Sequence, residues 1–223
     1  MLLSDGPWQH ALQMPKHYQP GLLAQPFHDL PAVAATNGWS EAQARVLNVA
    51  AEYLQRPEIV EALQGELNAL RADGELRVEQ ECIHEAGGGR GHWRRFDPTE
   101  SGQRSLEDDG YGGRCAVTTA PVACGVLQTL REEFELPAIR GSYSEIGAHG
   151  VLRSHFGMTN GQLKFHLGLV VPTSSGMKGH GGAGCSVFRV GEEKRPGAWK
   201  EGKVLFFDDS FEHEVMNNCD QPR

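Results

Sequence analysis

The sequence has no apolar run approaching the ~18 residues a membrane-crossing helix needs, so no such helix is expected. It has no block of Lys and Arg, and its formal net charge is −8, which argues against a nucleic-acid polyanion as partner. The N-terminal MLLSDGP lacks the basic and apolar regions of a secretory signal. No C-x-x-C pair occurs. Cys82, Cys115, Cys124, Cys185 and Cys219 are odd in number and scattered, which fits neither a disulfide scaffold nor a thiolate zinc site. Free thiols, and with them a soluble protein of a reducing, cytoplasmic compartment, are the expectation. What is abundant is turn-forming residues, with Gly 28 and Pro 12 in 223 residues. That composition favours many short strands, and the length suits one domain.

The pattern divides the chain into three stretches of that one domain. Residues 1–38 carry five prolines and no sustained period, and read as an extended lead-in. Residues 39–136 read as helices and loop packing on a barrel. Ser40 and Gln43 form a capping box, with Ala44, Leu47, Ala51 and Leu54 following at helical spacing. Pro57 opens a second helix with Ile59, Val60, Leu63, Leu67 and Leu70 on one face, and Gly74 stops it. Residues 86–114 read as Gly-rich loop with one strand. A third helix starts at Pro121, its apolar face formed by Val122, Val126, Leu127, Leu130 and Phe134.

From residue 137 to 223 the period becomes two. Leu163, Phe165, Leu167, Leu169 and Val171 predict a strand whose other face carries Lys164 and His166. Further strands are predicted at 142–146, 150–154, 186–190, 204–208 and 213–216, and the patch GMKGHGGAG at 176–184 reads as a loop. Short, closely spaced strands of mixed polarity point to a small barrel or jelly roll enclosing a ligand.

Two histidines stand at strand ends in this back half, His155 in RSHFG and His213 in FEHEV. In a jelly roll such a pair can meet at the barrel mouth. Two imidazoles with open coordination positions suit a divalent iron that also binds a co-substrate and oxygen. A carboxylate ligand two residues after the first histidine is missing, because that position is Gly157. With ten histidines in the chain, two distant ones taken alone are weak evidence, and a chance pairing is the favoured reading of the residues by themselves. The triplet Asp208, Asp209, Ser210 reads as a turn with local caps.

The strings HFGMTNGQLKFHLGLVVP (155–172), VGEEKR (190–195) and WKEGKVLFFDDSFEHEV (199–215) resemble the core of the aspartyl/asparaginyl β-hydroxylase family. The segment YQPGLLAQPFH (18–28) is similar to its entry segment. The resemblance is dense from about Gly141 onward and thin between 30 and 81. It implies a mainly β protein with N-terminal helices, built on a double-stranded β-helix (jelly roll, cupin-like). It also implies Fe(II) as metal, with 2-oxoglutarate and O2 as co-substrates.

The same resemblance implies metal ligation by His155 and His213, with Gly157 in place of the carboxylate. Ser144 and Arg223 match the positions that hold the distal carboxylate of 2-oxoglutarate, a dianion that needs a cation and a hydroxyl. His166 matches the strand histidine. Lys164 stands where the family usually has Arg, so a point charge replaces a bidentate fork. Trp93, in HWRRF, resembles a pocket-lining tryptophan. Beyond the arginine the family adds another strand, so a chain ending at Arg223 is expected to lack its last one.

The implied reaction is hydroxylation of an unactivated C–H, the β-carbon of Asp or Asn in a peptide or protein. The alternatives are a lipid acyl chain or small molecule as substrate, or an inactive β-helix that only binds. A zinc hydrolase would need a third protein ligand that the sequence does not place.

Overall fold

In a computed structural model of the protein, the described residues are 27–28, 41–78, 83–85, 92–99, 115–136, 140–157, 159, 163–172 and 184–223. Ser40 of the capping box, most of the lead-in and of the 86–114 loop, and nearly all of the 176–184 patch lie outside them. The three predicted helices form as α1 (Glu41–Leu54), α2 (Pro57–Ala72) and α3 (Pro121–Glu132). Proline opens α2 and α3 because its missing N–H costs nothing in the first turn. At the end of α2 the N–H groups of Gly74 and Glu75 bond back to Arg71 and Leu70, with Gly74 at φ +73°. That is the paired bonding a left-handed glycine permits.

The apolar faces foreseen in the sequence are those that bury. Leu54, Leu63, Leu67, Leu70, Val126 and Leu130 close one core with Phe96 and Tyr143. A buried carboxylate joins the helices. Glu66 of α2 accepts the N–H of Val122 (2.6 Å) and Ala123 (2.9 Å) at the start of α3, and the Tyr143 hydroxyl (2.7 Å). It thus caps α3, whose residue Ala120 provides no side-chain cap. Burial and the contact with Glu66 raise the Tyr143 hydroxyl far above its ordinary pKa.

The strands are β1 (Phe27–His28), β2 (Arg77–Val78), β3 (Ile83–Glu85), β4 (Trp93–Phe96), β5 (Tyr143–Ile146) and β6 (Gly150–His155). They continue as β7 (Lys164–Leu167), β8 (Ser186–Val190), β9 (Glu193–Pro196), β10 (Val204–Phe207) and β11 (His213–Asn217). All pairings are antiparallel, in sheets ordered β1-β10-β7, β3-β6-β11-β8-β9 and β2-β4-β5. Among the described residues helices are as prominent as strands, so the fold is mixed α/β rather than mainly β. Its antiparallel sheets are consistent with a cupin-like fold, as three sheets rather than one closed barrel. A second core of Phe188, Val190, Trp199, Phe207, Phe211 and Val215 fills the space between strands. No helix among the described residues is long and apolar enough to cross a membrane.

Two expectations are corrected. The strand predicted over 163–171 ends at Leu167, because Leu167 pairs with Val204, the first residue of β10, and among the described residues no strand partner continues beyond it. Gly168 instead bonds to the turn at 200–203, where a side chain would meet the Lys200 carbonyl at 2.5 Å. The cysteines are not all free thiols. Cys115 is bonded to Cys124 and Cys185 to Cys219, with Cα atoms 5.7 and 5.2 Å apart. Sequence spacing hides this, since β8 and the end of β11 are neighbours only in the sheet. The cysteine argument for a reducing, cytoplasmic compartment falls with it.

Candidate active site

His155 ends β6 and His213 begins β11, and the two are direct cross-strand partners in one sheet. Their ring centroids lie 4.1 Å apart. The pairing depends on a β-bulge. Val215 faces Leu152 while His213 faces His155, so β6 spends one residue more than β11 over that interval. The extra residue turns His155 onto the same face as Leu152 and His213; in regular register it would point the other way.

Both rings are held by the same device. His213 Nδ1 lies 2.9 Å from the Phe211 carbonyl and His155 Nδ1 2.7 Å from the Arg153 carbonyl. A carbonyl only accepts, so each Nδ1 carries a proton, and in the neutral ring that leaves Nε2 as the ligating nitrogen. Burial, then the neighbouring His155, pushes His213 down to about 3, so that ring is neutral at physiological pH. Two adjacent imidazoles anchored through Nδ1 to backbone carbonyls, each with Nε2 left to ligate, are a donor set that fits a divalent metal. Among the described residues no third His, Cys, Asp or Glu joins them in ligating geometry.

Gly157 follows with its N–H bonded to the Asp209 carbonyl. The Asp209 side chain fills the space beside it, so a Cβ on residue 157 would lie 2.4 Å from that carboxyl group. Asp209 is buried, Oδ1 has no hydrogen-bond partner among the described residues, and Oδ2 lies 3.4 Å from Lys164 Nζ. Burial raises its pKa, opposed by Lys164 and His155. Sequence reasoning treated Asp208, Asp209 and Ser210 as a turn. Asp208 does cap Ser210, its Oδ1 accepting that N–H at 2.9 Å. Asp209 is the residue that reading missed, and no local pattern separates it from its neighbour.

Arg223 is held against β5 by its backbone. Its N–H and carbonyl pair with those of Ile146 on β5 at 3.0 and 2.9 Å. Its guanidinium lies over the Trp199 ring, 3.4 Å from the centroid. Nε is buried without a hydrogen-bond partner among the described residues, and burial lowers the guanidinium to about 9. A buried guanidinium with an unpaired N–H among the described residues has the chemistry to accept an anionic partner. Trp199 also donates from Nε1 to His166 Nδ1 at 3.3 Å. His166 therefore carries its proton on Nε2, and burial, with Arg223 next, pushes it down to about 3.

Ser144 on β5 is exposed and accepts a hydrogen bond from Trp93 Nε1 at 2.8 Å, which leaves its own O–H to donate. Trp93 lies on β4, paired through Ile146 to the strand that carries Ser144. Lys164 and His166 share one face of β7, as the alternation predicted. The structure thus links Trp93 to Ser144, Arg223 to His166 through Trp199, Lys164 to Asp209, and His155 to His213.

The aspartyl/asparaginyl beta-hydroxylase family model matches residues 58–223. The human protein named aspartyl/asparaginyl beta-hydroxylase is 32% identical over 149 residues, covering 67% of this chain and 16% of the human protein. An ornithine lipid ester-linked acyl 2-hydroxylase from Rhizobium tropici is 37% identical over 82 residues, covering 37% of this chain and 25% of that protein. Aspartate beta-hydroxylase domain-containing protein 2 of mouse is 40% identical over 67 residues, covering 30% of this chain and 16% of that protein. This chain therefore spans well under a fifth of the human relative's length. With the family match running from residue 58 to residue 223, the chain belongs to the aspartyl/asparaginyl β-hydroxylase family.

Proposed function

We propose that this protein is an Fe(II)- and 2-oxoglutarate-dependent dioxygenase that hydroxylates an unactivated C–H bond, the β-carbon of Asp or Asn in a peptide or protein. The observation that carries the reading is the cross-strand pair His155 and His213, each anchored at Nδ1 to a backbone carbonyl. In this reading the sheets are the two faces of a double-stranded β-helix. Nε2 of each histidine holds the iron, and Gly157 leaves the third protein position without a ligand. Bound iron with 2-oxoglutarate and O2 supplies the oxidant, the co-substrate leaving as succinate and CO2.

The chain's own residues bind and orient. Arg223 takes the distal carboxylate of 2-oxoglutarate, with the Ser144 hydroxyl donating to it and Trp93 setting that hydroxyl's direction. His166, neutral and protonated on Nε2, offers a donor on the same side. The Asp209 carboxylate lies next to the metal position as an acceptor for water or substrate, with its charge shared by Lys164. The apolar wall of Phe188, Phe207 and Trp199 excludes water from the reacting centre.

Anaerobic addition of Fe(II) and 2-oxoglutarate is expected to give a charge-transfer absorption band that His213→Ala abolishes. Absence of the band in the wild-type protein overturns the reading. The substrate is read from product mass after turnover with peptide, free amino acid and lipid candidates. The Rhizobium tropici relative, named for an acyl 2-hydroxylase, gives the lipid acyl chain its place as the second substrate class. An inactive binding module would form no succinate under any of these conditions.

A further inference from the structure

The bulge that aims His155 has a fastening of its own on the opposite face of the sheet. Arg189 lies near the end of β8, between the inward-facing Phe188 and Val190, with its side chain on the outer face. Its Nε donates to Glu214 Oε1 (2.8 Å), and Nη1 donates to the Gly191 carbonyl (2.8 Å). Nη2 donates to Ser154 Oγ (2.8 Å) and Glu212 Oε1 (2.5 Å). The Ser154 hydroxyl donates in turn to Glu214 Oε2 at 2.9 Å, closing a ring of three side chains.

The partners are informative. Ser154 is the bulge residue immediately before His155, and Glu212 and Glu214 flank His213. One guanidinium therefore grips the neighbours of both histidines from behind, across the three strands β6, β11 and β8. The Arg189 side chain is only 12% exposed, with its bonds to Glu214, Glu212 and Gly191 part-buried and its bond to Ser154 at the exposed edge of the network. A bulge leaves its extra residue unpaired in the ladder, so side-chain bonds must hold its register. A planar fork with five donors suits that task, and an ammonium does not.

We propose that Arg189 is a positioning residue for the metal pair, fixing the β6 bulge through Ser154 so that His155 faces His213. This rests on the metal-binding reading above and deepens it. The role is distinct from holding the fold together, since a fastening that merely stabilised the sheet would leave metal affinity unchanged in protein that is still folded.

The test is calorimetric titration of the metal-free protein with Co(II), well below the unfolding temperature, for wild type, Arg189→Met, Arg189→Lys and Ser154→Ala. Arg189→Met is expected to weaken Co(II) binding about 10- to 100-fold, the range for residues that support metal ligands. Arg189→Lys should recover only a small part, because it restores charge without the fork. Ser154→Ala removes the bulge's bonds to Arg189 and Glu214 while leaving Arg189 on Glu212, Glu214 and Gly191, and is expected to weaken binding about three-fold or more. It also decides the matter if Arg189→Met fails to fold. Wild-type affinity in folded Arg189→Met, or in Ser154→Ala, overturns the positioning role and leaves the metal reading intact. No Co(II) binding by the wild-type protein overturns both.

Discussion

A Cβ on Gly157 would lie 2.4 Å from both the carboxyl carbon and Oδ1 of Asp209. The position where a carboxylate ligand is missing from the sequence is therefore filled, in space, by a carboxylate from elsewhere in the chain. Asp209 is buried and half-satisfied, which sets it apart from a surface turn residue.

Gly157→Asp, which would write the absent carboxylate into the sequence, is expected to cost about 1–3 kcal/mol by overpacking. It should not tighten Co(II) binding. Gly157→Ala combined with Asp209→Ala should recover most of the loss seen in Gly157→Ala alone. Thermal unfolding of the four proteins measures this, and a Gly157→Asp variant as stable as wild type would contradict the packing.

Glu66→Ala leaves two helix N–H groups and the Tyr143 hydroxyl without their acceptor. A loss of roughly 3 kcal/mol or more is expected in urea unfolding, and about 1 kcal/mol for Glu66→Gln, which keeps one acceptor oxygen. A neutral Glu66→Ala would show that water replaces the carboxylate.

Non-reducing digestion should release cross-linked peptides joining Cys115 to Cys124 and Cys185 to Cys219. Cys185→Ser is expected to cost about 2–4 kcal/mol. It should also raise the dissociation constant for 2-oxoglutarate, because Cys219 ties down the segment that delivers Arg223. Unchanged 2-oxoglutarate affinity in the folded variant would separate the disulfide from the anion seat.

Burial pushes the Asp208 carboxyl up from 3.8 to about 6, with Asp209 adding to the rise and the Ser210 hydrogen bonds opposing it. Between those values the folded chain keeps a proton that the unfolded chain releases. The stability from the protonated form is full below about pH 4 and lost as pH rises through about 6. Asp208→Asn retains an acceptor for Ser210 and escapes that loss. Its unfolding midpoint should exceed wild type at pH 8 and match it near pH 4. An equal difference at both pH values would rule the linkage out.

Much of the helical region was legible because helix signals are local. Pro57, Gly74 and Pro121 mark termini through backbone constraints that travel with the residue, and spacing alone told which leucines face inward. Lys164 and His166 on one face of β7 followed from the two-residue period in the same way. The glycine in His155-x-Gly157 and the pair with His213 were readable because the motif strings are long and specific.

What stayed hidden depends on contacts between segments distant in the chain. Periodicity predicted β7 to run four residues too far, since a strand ends where its partner does, and that partner begins at Val204. Cysteine spacing could not reveal Cys185 beside Cys219, nor could a turn motif distinguish Asp209 from Asp208. The sequence by itself determined the helices and the strand faces, because backbone propensity and side-chain period are properties of neighbours, and it singled out His155 and His213 through the resemblance that the motif strings carry. Only the tertiary structure decided that a bulge points His155 at His213, that Arg189 fastens it from behind, and that Ile146 and Trp199 hold Arg223 in place. Each of these is a register between strands, and register is set by packing that no single segment contains.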